Sequence, residues 1–126
     1  MEKIKSYTDL EQSKKLAEIL PPESADMYYE PSPVFCTEPS EVRFGDIKYA
    51  HPRSIRCWSL AALLDILSKT AHSIDEDGSV DLCDYKNIEW SLCLTNTNVG
   101  LFTANNPVDA CYQMIIKLHE IEMLCL

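Results

Sequence analysis

The chain has 126 residues, of which 46% are hydrophobic and 25% charged, with three glycines and seven prolines. These proportions suit one globular domain and exclude collagen-like, low-complexity and wholly disordered chains. Lys plus Arg number 11 against 20 Asp plus Glu, a formal net charge of −9. This charge argues against direct nucleic-acid binding, which needs cationic side chains, and it favours a basic protein partner.

The sequence contains no apolar run long enough for a transmembrane helix, and its first residues lack the apolar stretch of a secretory signal. We therefore expect a cytoplasmic protein with no membrane partner and no cofactor. The six cysteines include no Cys-x-x-Cys pair, so we expect reduced thiols in the core instead of a zinc site or a disulfide framework. They are Cys36, Cys57, Cys83, Cys93, Cys111 and Cys125.

The first predicted helix begins at the motif Thr8-Asp-Leu-Glu11, which has the capping-box form with Thr8 as the N-cap. An apolar stripe continues to Leu20, where two prolines end the helix. Residues 21–40 contain five prolines, several acidic residues and little periodicity, which predicts an irregular acidic connection. Residues 42–50 alternate in character around a Gly-Asp pair and predict a short hairpin.

The second predicted helix spans Cys57 to Lys69 and is apolar nearly all round, which is typical of a central buried element. A strand over residues 80–84 follows, and then a hairpin over residues 88–104. A two-residue loop at Asn96 and Thr97 would place Leu92 opposite Leu101.

The last predicted helix begins with Asn106 as the N-cap and Pro107 at the first helical position, and it runs close to the C-terminus. Together these elements predict a single α+β domain over residues 1–126. Three helices would pack on one small antiparallel sheet of three to five strands.

The segment from Ser73 to Asp84 has the spacing of an EF-hand calcium loop, with Gly78 at the sixth position, where such loops turn sharply. The carboxylates of this spacing are Asp75, Asp77, Asp81 and Asp84. Ser73 stands where the first Asp is usual and Asp84 where a bidentate Glu is usual, which weakens two ligands. A solvated Asp-Gly loop accounts for the same residues without an ion.

Cys57 is predicted to begin a helix beside Arg56, where the helix dipole and the positive charge would lower its thiol pKa. It is the candidate nucleophile of a small thiol enzyme, with His51, His72 or His119 as the base. The alternative is a buried core thiol. The sequence contains no phosphate loop, serine-hydrolase elbow or His-Glu-x-x-His motif, so we favour a protein that is not an enzyme.

Aromatic residues gather in the least regular part of the sequence. Tyr28, Tyr29 and Phe35 are therefore candidates for contact with a protein partner, because aromatic side chains dominate binding interfaces. The alternative is that they cover the open side of the sheet.

Four stretches carry a distinctive combination of motifs, and they are Thr8–Leu20, Ala25–Met27, Cys57–Leu64 and Asn106–Glu120. This combination resembles a family of small uncharacterised proteins encoded in gut-bacterial and prophage genomes. The resemblance implies one domain in a bacterial cytoplasm and carries over no catalytic residue. We therefore expect a non-enzymatic protein-interaction domain, an accessory protein of a prophage or mobile element, with self-association left open. A calcium-binding module and a small thiol enzyme are the alternatives.

Overall fold

The computed structural model describes residues 5–30, 42–45, 53–85 and 89–125. The helices are α1 (Leu10–Ile19), a short 3₁₀ helix (Pro22–Ser24), α2 (Leu60–Ile74) and α3 (Pro107–Glu120). The strands are β1 (Met27–Tyr29), β2 (Val42–Phe44), β3 (Ile55–Cys57), β4 (Val80–Tyr85), β5 (Glu89–Leu94) and β6 (Phe102–Ala104). The predicted α+β class with three α-helices is confirmed. The described strands form two antiparallel sheets, in the orders β2-β1-β3 and β4-β5-β6, and not the single sheet that we predicted.

The larger hydrophobic core lies between α2, α3 and one face of the β4-β5-β6 sheet. Alternation along β5 turns Leu92 and Leu94 toward the helices, whereas Ser91 and Cys93 take the other face. α1 adds Leu16, which has no solvent exposure. The buried side chains that α2 contributes are Leu63, Ile66, Leu67, Thr70 and Ala71.

Thr8 lies one residue before the N-cap of α1 and is fully buried. Its Oγ1 accepts a hydrogen bond from the backbone N–H of Trp58 at 3.2 Å. Because this oxygen is already engaged, the predicted capping box of Thr8 and Glu11 is wrong by one residue. Asp9 is the N-cap and accepts from Gln12 N at 2.8 Å, while Gln12 Oε1 accepts from Asp9 N at 3.1 Å.

α2 begins at Leu60 instead of Cys57, and it continues beyond its predicted end to Ile74. Ser59 is the N-cap of this helix. Asp26 fixes Ser59 by accepting hydrogen bonds from its backbone N–H, at 2.9 Å, and from its hydroxyl. Cys57 belongs to β3, so the prediction that it begins a helix is wrong.

β1 is the central strand of the β2-β1-β3 sheet, and Met27 pairs with Phe44 on one side and Cys57 on the other. The predicted connection over residues 21–40 therefore contains a 3₁₀ helix and a strand, and its residues 31–40 lie outside the described part of the chain. Of the hairpin predicted over residues 42–50, β2 is described, and it pairs with β1. Residues 46–50 lie outside the described ranges.

The pairing of β5 with β6 differs from the predicted register by one residue. Leu92 pairs with Phe102 instead of Leu101, and Leu101 is 65% exposed. The connection between β5 and β6 is longer than the two-residue loop that we predicted. It begins with a turn in which Asn96 adopts a φ of 60° and Thr97 Oγ1 donates to the last carbonyl of β5 at 2.7 Å. A slip of one residue exchanges the side chains that face the core.

α3 begins as predicted, with Asn106 as its N-cap and Pro107 at the first position. Lys5 joins this helix end to α1, since its Nζ donates to Asp109 Oδ1 at 2.8 Å and to Asp9 Oδ2 at 3.0 Å. Burial alone would raise the pKa of the Asp109 carboxyl, but hydrogen bonds, led by that from Lys5, hold the pKa below its usual range. Lys5 therefore fixes the two helix starts to each other.

We predict that Lys5 and Asp109 stabilise the fold together at neutral pH. The folded-state pKa of Asp109 is lowered, so its contribution is complete above the unfolded value of about 3.9 and is lost as the pH falls through the folded value. A double-mutant cycle of Lys5→Met and Asp109→Asn, measured by urea unfolding, should give a coupling of about 1 kcal/mol at pH 7. The coupling should shrink below pH 4.

The matched control is the exposed pair Lys15 and Glu18, whose side chains are 53% and 72% exposed at an N–O distance of 3.7 Å. Exposed pairs contribute a few tenths of a kcal/mol. Equal coupling in the two pairs would contradict the proposed difference in strength.

Candidate functional site

Tyr28 lies in the middle of the outward face of the β2-β1-β3 sheet. Strand alternation turns its neighbours Met27 and Tyr29 into the core, where both are buried, and leaves Tyr28 half-buried on the opposite face. Its Cα partners are Arg43 in β2 and Arg56 in β3. Side chains directly opposed in antiparallel strands are close enough to interact. An arginine therefore flanks Tyr28 on each side.

The two arginines have different partners. Arg43 Nε donates to Glu30 Oε1 at 2.7 Å, and the Arg43 side chain is 58% exposed. Arg56 Nη2 donates to the Ala17 carbonyl at 3.0 Å, near the end of α1, where helix carbonyls have no partner within the helix. No carboxylate in the described ranges forms an ion pair with Arg56.

Phe44 ends β2 beside Arg43, and at 74% exposure it is the most exposed large hydrophobic residue in the described part of the chain. Phe44 pairs with the buried Met27, so strand alternation places it on the face of β2 opposite Arg43 and Tyr28. Tyr28 instead lies close to Gly45, because its Cε1 would be 3.4 Å from a Cβ added there. Tyrosine and arginine are the residue types that most often dominate protein interfaces. We name the set Tyr28, Glu30, Arg43 and Arg56 the tyrosine–arginine surface.

The other two aromatic candidates are not part of this surface. Tyr29 is 7% exposed, and its hydroxyl donates to the Thr8 carbonyl at 2.8 Å. Burial raises the pKa of Tyr29, so the phenol stays neutral. Tyr29 thus belongs to the small core beside Cys57. Phe35 lies outside the described residues.

Cys57 is fully buried in β3. Burial raises the pKa of its thiol, although hydrogen bonds with Thr8 and Ser13 oppose this effect. Its Sγ lies 3.4 Å from the Thr8 carbonyl oxygen, and the neighbouring Arg56 points its guanidinium at α1. A neutral, shielded thiol is a poor nucleophile. These surroundings do not support a catalytic role for Cys57. That role stays a hypothesis.

The four candidate calcium ligands divide between a turn and a strand. Asp75 is the C-cap of α2, and its Oδ1 accepts from Asp77 N at 2.8 Å. Asp81 and Asp84 lie in β4, on opposite faces by strand alternation. Among the described residues, which include all four, no group of three or more His, Cys, Asp or Glu is placed to hold a metal ion. The calcium hypothesis gains no support from this geometry.

Gly78 has a packing role that accounts for its place in the calcium-like spacing. A Cβ at this position would lie 2.5 Å from the Ala71 carbonyl oxygen and 2.9 Å from that of Asp75. Moving these backbone oxygens would distort the end of α2 and raise the free energy of the fold. Glycine is therefore required here to let the chain leave α2, whether or not an ion is present.

Asp81 lies between two thiols on the outward face of the β4-β5-β6 sheet. Cys83 Sγ is 3.3 Å from Asp81 Oδ1, and Cys93 Sγ is 4.0 Å from Asp81 Oδ2. The hydrogen bond to Asp81 and its negative charge raise the pKa of the exposed Cys83 thiol. Burial and the same charge raise the pKa of Cys93.

The five described cysteines are free, but Cys57 and Cys111 are the buried ones among them. The expectation that most cysteines lie in the core is therefore not met by these five. Cys125 lines a cleft of about 280 Å³ between the 3₁₀ helix and α2. The other residues around this cleft are Pro21, Glu23, Ser24, Asp65, Ile66 and Lys69.

Arg43 was not among the predicted binding residues, and Arg56 was named only as the neighbour of Cys57. The sequence gives only a weak indication of this cluster, because the pairing of three strands is needed to bring the two arginines next to Tyr28. No family model, curated protein or solved structure matches this chain. Of the helices described here, none combines the length and apolar character needed to cross a bilayer.

We predict that Gly78→Ala lowers the free energy of unfolding by about 2 kcal/mol, because the new Cβ would overlap backbone oxygens. Urea unfolding should show the same loss with and without millimolar calcium. Asp77→Ala is the control, since Asp77 is exposed and is a ligand in the calcium hypothesis. Stabilisation by calcium that Asp77→Ala removes would instead restore the ion-binding hypothesis.

We also predict that Asp81→Asn accelerates the alkylation of Cys83. Removing the carboxylate removes the interactions that raise the pKa of this thiol, so more thiolate is present at neutral pH. Iodoacetamide labelling followed by peptide mass spectrometry measures each cysteine separately. Cys57 in the same samples is the internal control and should stay unlabelled in the folded protein. An unchanged rate at Cys83 would refute the effect of Asp81.

Proposed function

We propose that this chain is a non-enzymatic protein-interaction domain that binds its partner through β2, where Phe44 is exposed next to the tyrosine–arginine surface. The proposal rests on Phe44, which is 74% exposed at the end of β2 and directly follows Arg43 in the sequence. Burying a phenylalanine side chain contributes about 1.5–3 kcal/mol of free energy. Phe44 is mostly exposed in this fold, so most of that free energy is still available on binding. A partner that covers Phe44 would obtain it.

The composition and order of this surface support the same proposal. Tyr28 and the two flanking arginines form a row across three strands, so a rigid backbone holds them before any partner binds. A row that is already ordered loses little conformational entropy on binding. The candidate catalytic thiol Cys57 is instead buried among structural hydrogen bonds.

The sequence resemblance and the net charge extend this proposal. A protein of the gut-bacterial and prophage family would act in the bacterial cytoplasm as an accessory protein of a mobile element. The net charge of −9 favours a basic partner at low salt, and added salt should then weaken the complex. Self-association through the same surface is a further form of the proposal.

The test is affinity capture from lysate of the native host with the tagged protein and two variants. Phe44→Ser should lose the recurrent partner, because it removes the exposed ring. Leu101→Ser is the matched control, because Leu101 is 65% exposed just before β6 of the other sheet, and this variant should keep the partner. Equal capture by both variants would refute a binding role of Phe44 and β2. Analytical ultracentrifugation of the purified protein tests self-association separately.

A further inference from the structure

We propose that two copies of this chain associate by pairing their β6 strands in antiparallel orientation, so that two β4-β5-β6 sheets join into one continuous sheet. The feature behind this proposal is the free edge of β6. β6 pairs with β5 on one side, and among the described residues no strand pairs with its other side. The inference does not depend on the binding role that we propose for β2.

The register of the sheet decides which backbone groups of β6 face the free edge. Thr95 N donates to Ser79 O at 2.9 Å, so this pair is hydrogen-bonded on the β4 side of β5. In an antiparallel ladder the hydrogen-bonded pairs alternate, and Cys93 and Ser91 therefore also turn their backbone groups toward β4. Ser91 is the Cα partner of Thr103, so the N–H and C=O of Thr103 point away from β5.

The free edge is also accessible. Thr103 is exposed, and Leu101, which directly precedes β6, is 65% exposed. Phe102 lies between them and packs against the core, so alternation gives Leu101 and Thr103 the same outward direction. Within the described ranges, neither residue has a backbone hydrogen bond beyond the pairing with β5. Unpaired backbone groups along a strand edge are where a strand of another chain can add.

The two edges of this sheet differ in charge. β4 forms the opposite edge and carries Asp81 and Asp84, which are both exposed. Charged side chains are a common means by which edge strands avoid pairing with other chains. Residues 90–108 include all of β6 and form the longest stretch of the sequence without a charged side chain. β6 therefore lacks the protection that β4 has.

The same distribution of charge favours a second copy of this chain as the occupant. Each copy has a net charge of −9, so two copies repel each other least where neither carries a charge. A two-fold axis at Phe102 would place Leu101 of each copy opposite Thr103 of the other. Both copies would then use the same groups, as a symmetric dimer requires. Cross-strand contact with Thr103 would cover part of the exposed Leu101 side chain.

The test is sedimentation velocity of the purified full chain over a series from micromolar to millimolar protein. The wild type should change from monomer to dimer within this series, because a short strand pairing makes a weak interface. Thr103→Pro should raise the dimer dissociation constant at least about tenfold, since it removes one edge N–H from each copy. Proline is tolerated in an edge strand whose N–H faces solvent, so the pairing with β5 should persist.

Thr103→Ala is the matched control, because it removes the side chain and keeps the N–H, and it should dimerise like the wild type. Thr103→Glu covers the case in which circular dichroism shows that the proline disturbs folding. It keeps the N–H but places two like charges across the interface, so it should also weaken the dimer.

Phe44→Ser separates this dimer from association through β2, and it should leave the dissociation constant unchanged. A wild type that stays monomeric throughout the series would overturn the inference. So would a dimer that persists in both Thr103→Pro and Thr103→Glu, or one that Phe44→Ser abolishes. Failure of the dimer leaves the proposed function intact, because capture of a partner through Phe44 is measured separately.

Discussion

The buried polar residue Thr8 is the point on which the arrangement of the other elements depends. Its backbone N–H donates to Trp58 O at 3.0 Å, its Oγ1 accepts from Trp58 N, and its carbonyl accepts from the Tyr29 hydroxyl at 2.8 Å. A buried polar group that loses its hydrogen-bond partner lowers the stability of the fold by about 1–3 kcal/mol. The folded protein therefore keeps all three of these hydrogen bonds. Thr8 thereby fixes the start of α1 against both β1 and β3.

The candidate binding surface is a consequence of this arrangement. The bond from Tyr29 to Thr8 holds Tyr29 on the inner face of β1, and in a strand the adjacent residue must then face outward. Tyr28 therefore faces outward between the strands that carry Arg43 and Arg56, because its neighbour Tyr29 is buried in the core. Arg56 in turn donates to the Ala17 carbonyl, so α1 also holds a side chain of β3 in place. The buried contacts of Tyr29 and Thr8 therefore keep the tyrosine–arginine surface rigid.

Local patterns in the sequence were sufficient to predict that three α-helices exist and where α3 starts, because Asn106 and Pro107 act within one helical turn. They failed where a distant residue decides the local structure. Trp58 takes the Thr8 hydroxyl and moves the cap of α1, and pairing with β1 places Cys57 in a strand. The binding surface needs two such long-range pairings at once, so single-sequence patterns identified Tyr28 but not the arginines beside it.

The contact between Lys5 and Asp109 joins residues that are 104 positions apart in the chain. A contact between residues so far apart closes a long loop of the chain. Closing the loop costs conformational entropy, and the contact stabilises the fold only once that cost is offset. On the ribosome, residues 5–9 leave the exit tunnel early, yet their partner on α3 is made last among the described helices. Residues 5–9 must therefore wait, with their polar groups in water, until α3 has been synthesised. Completion of this fold is coupled to the synthesis of α3.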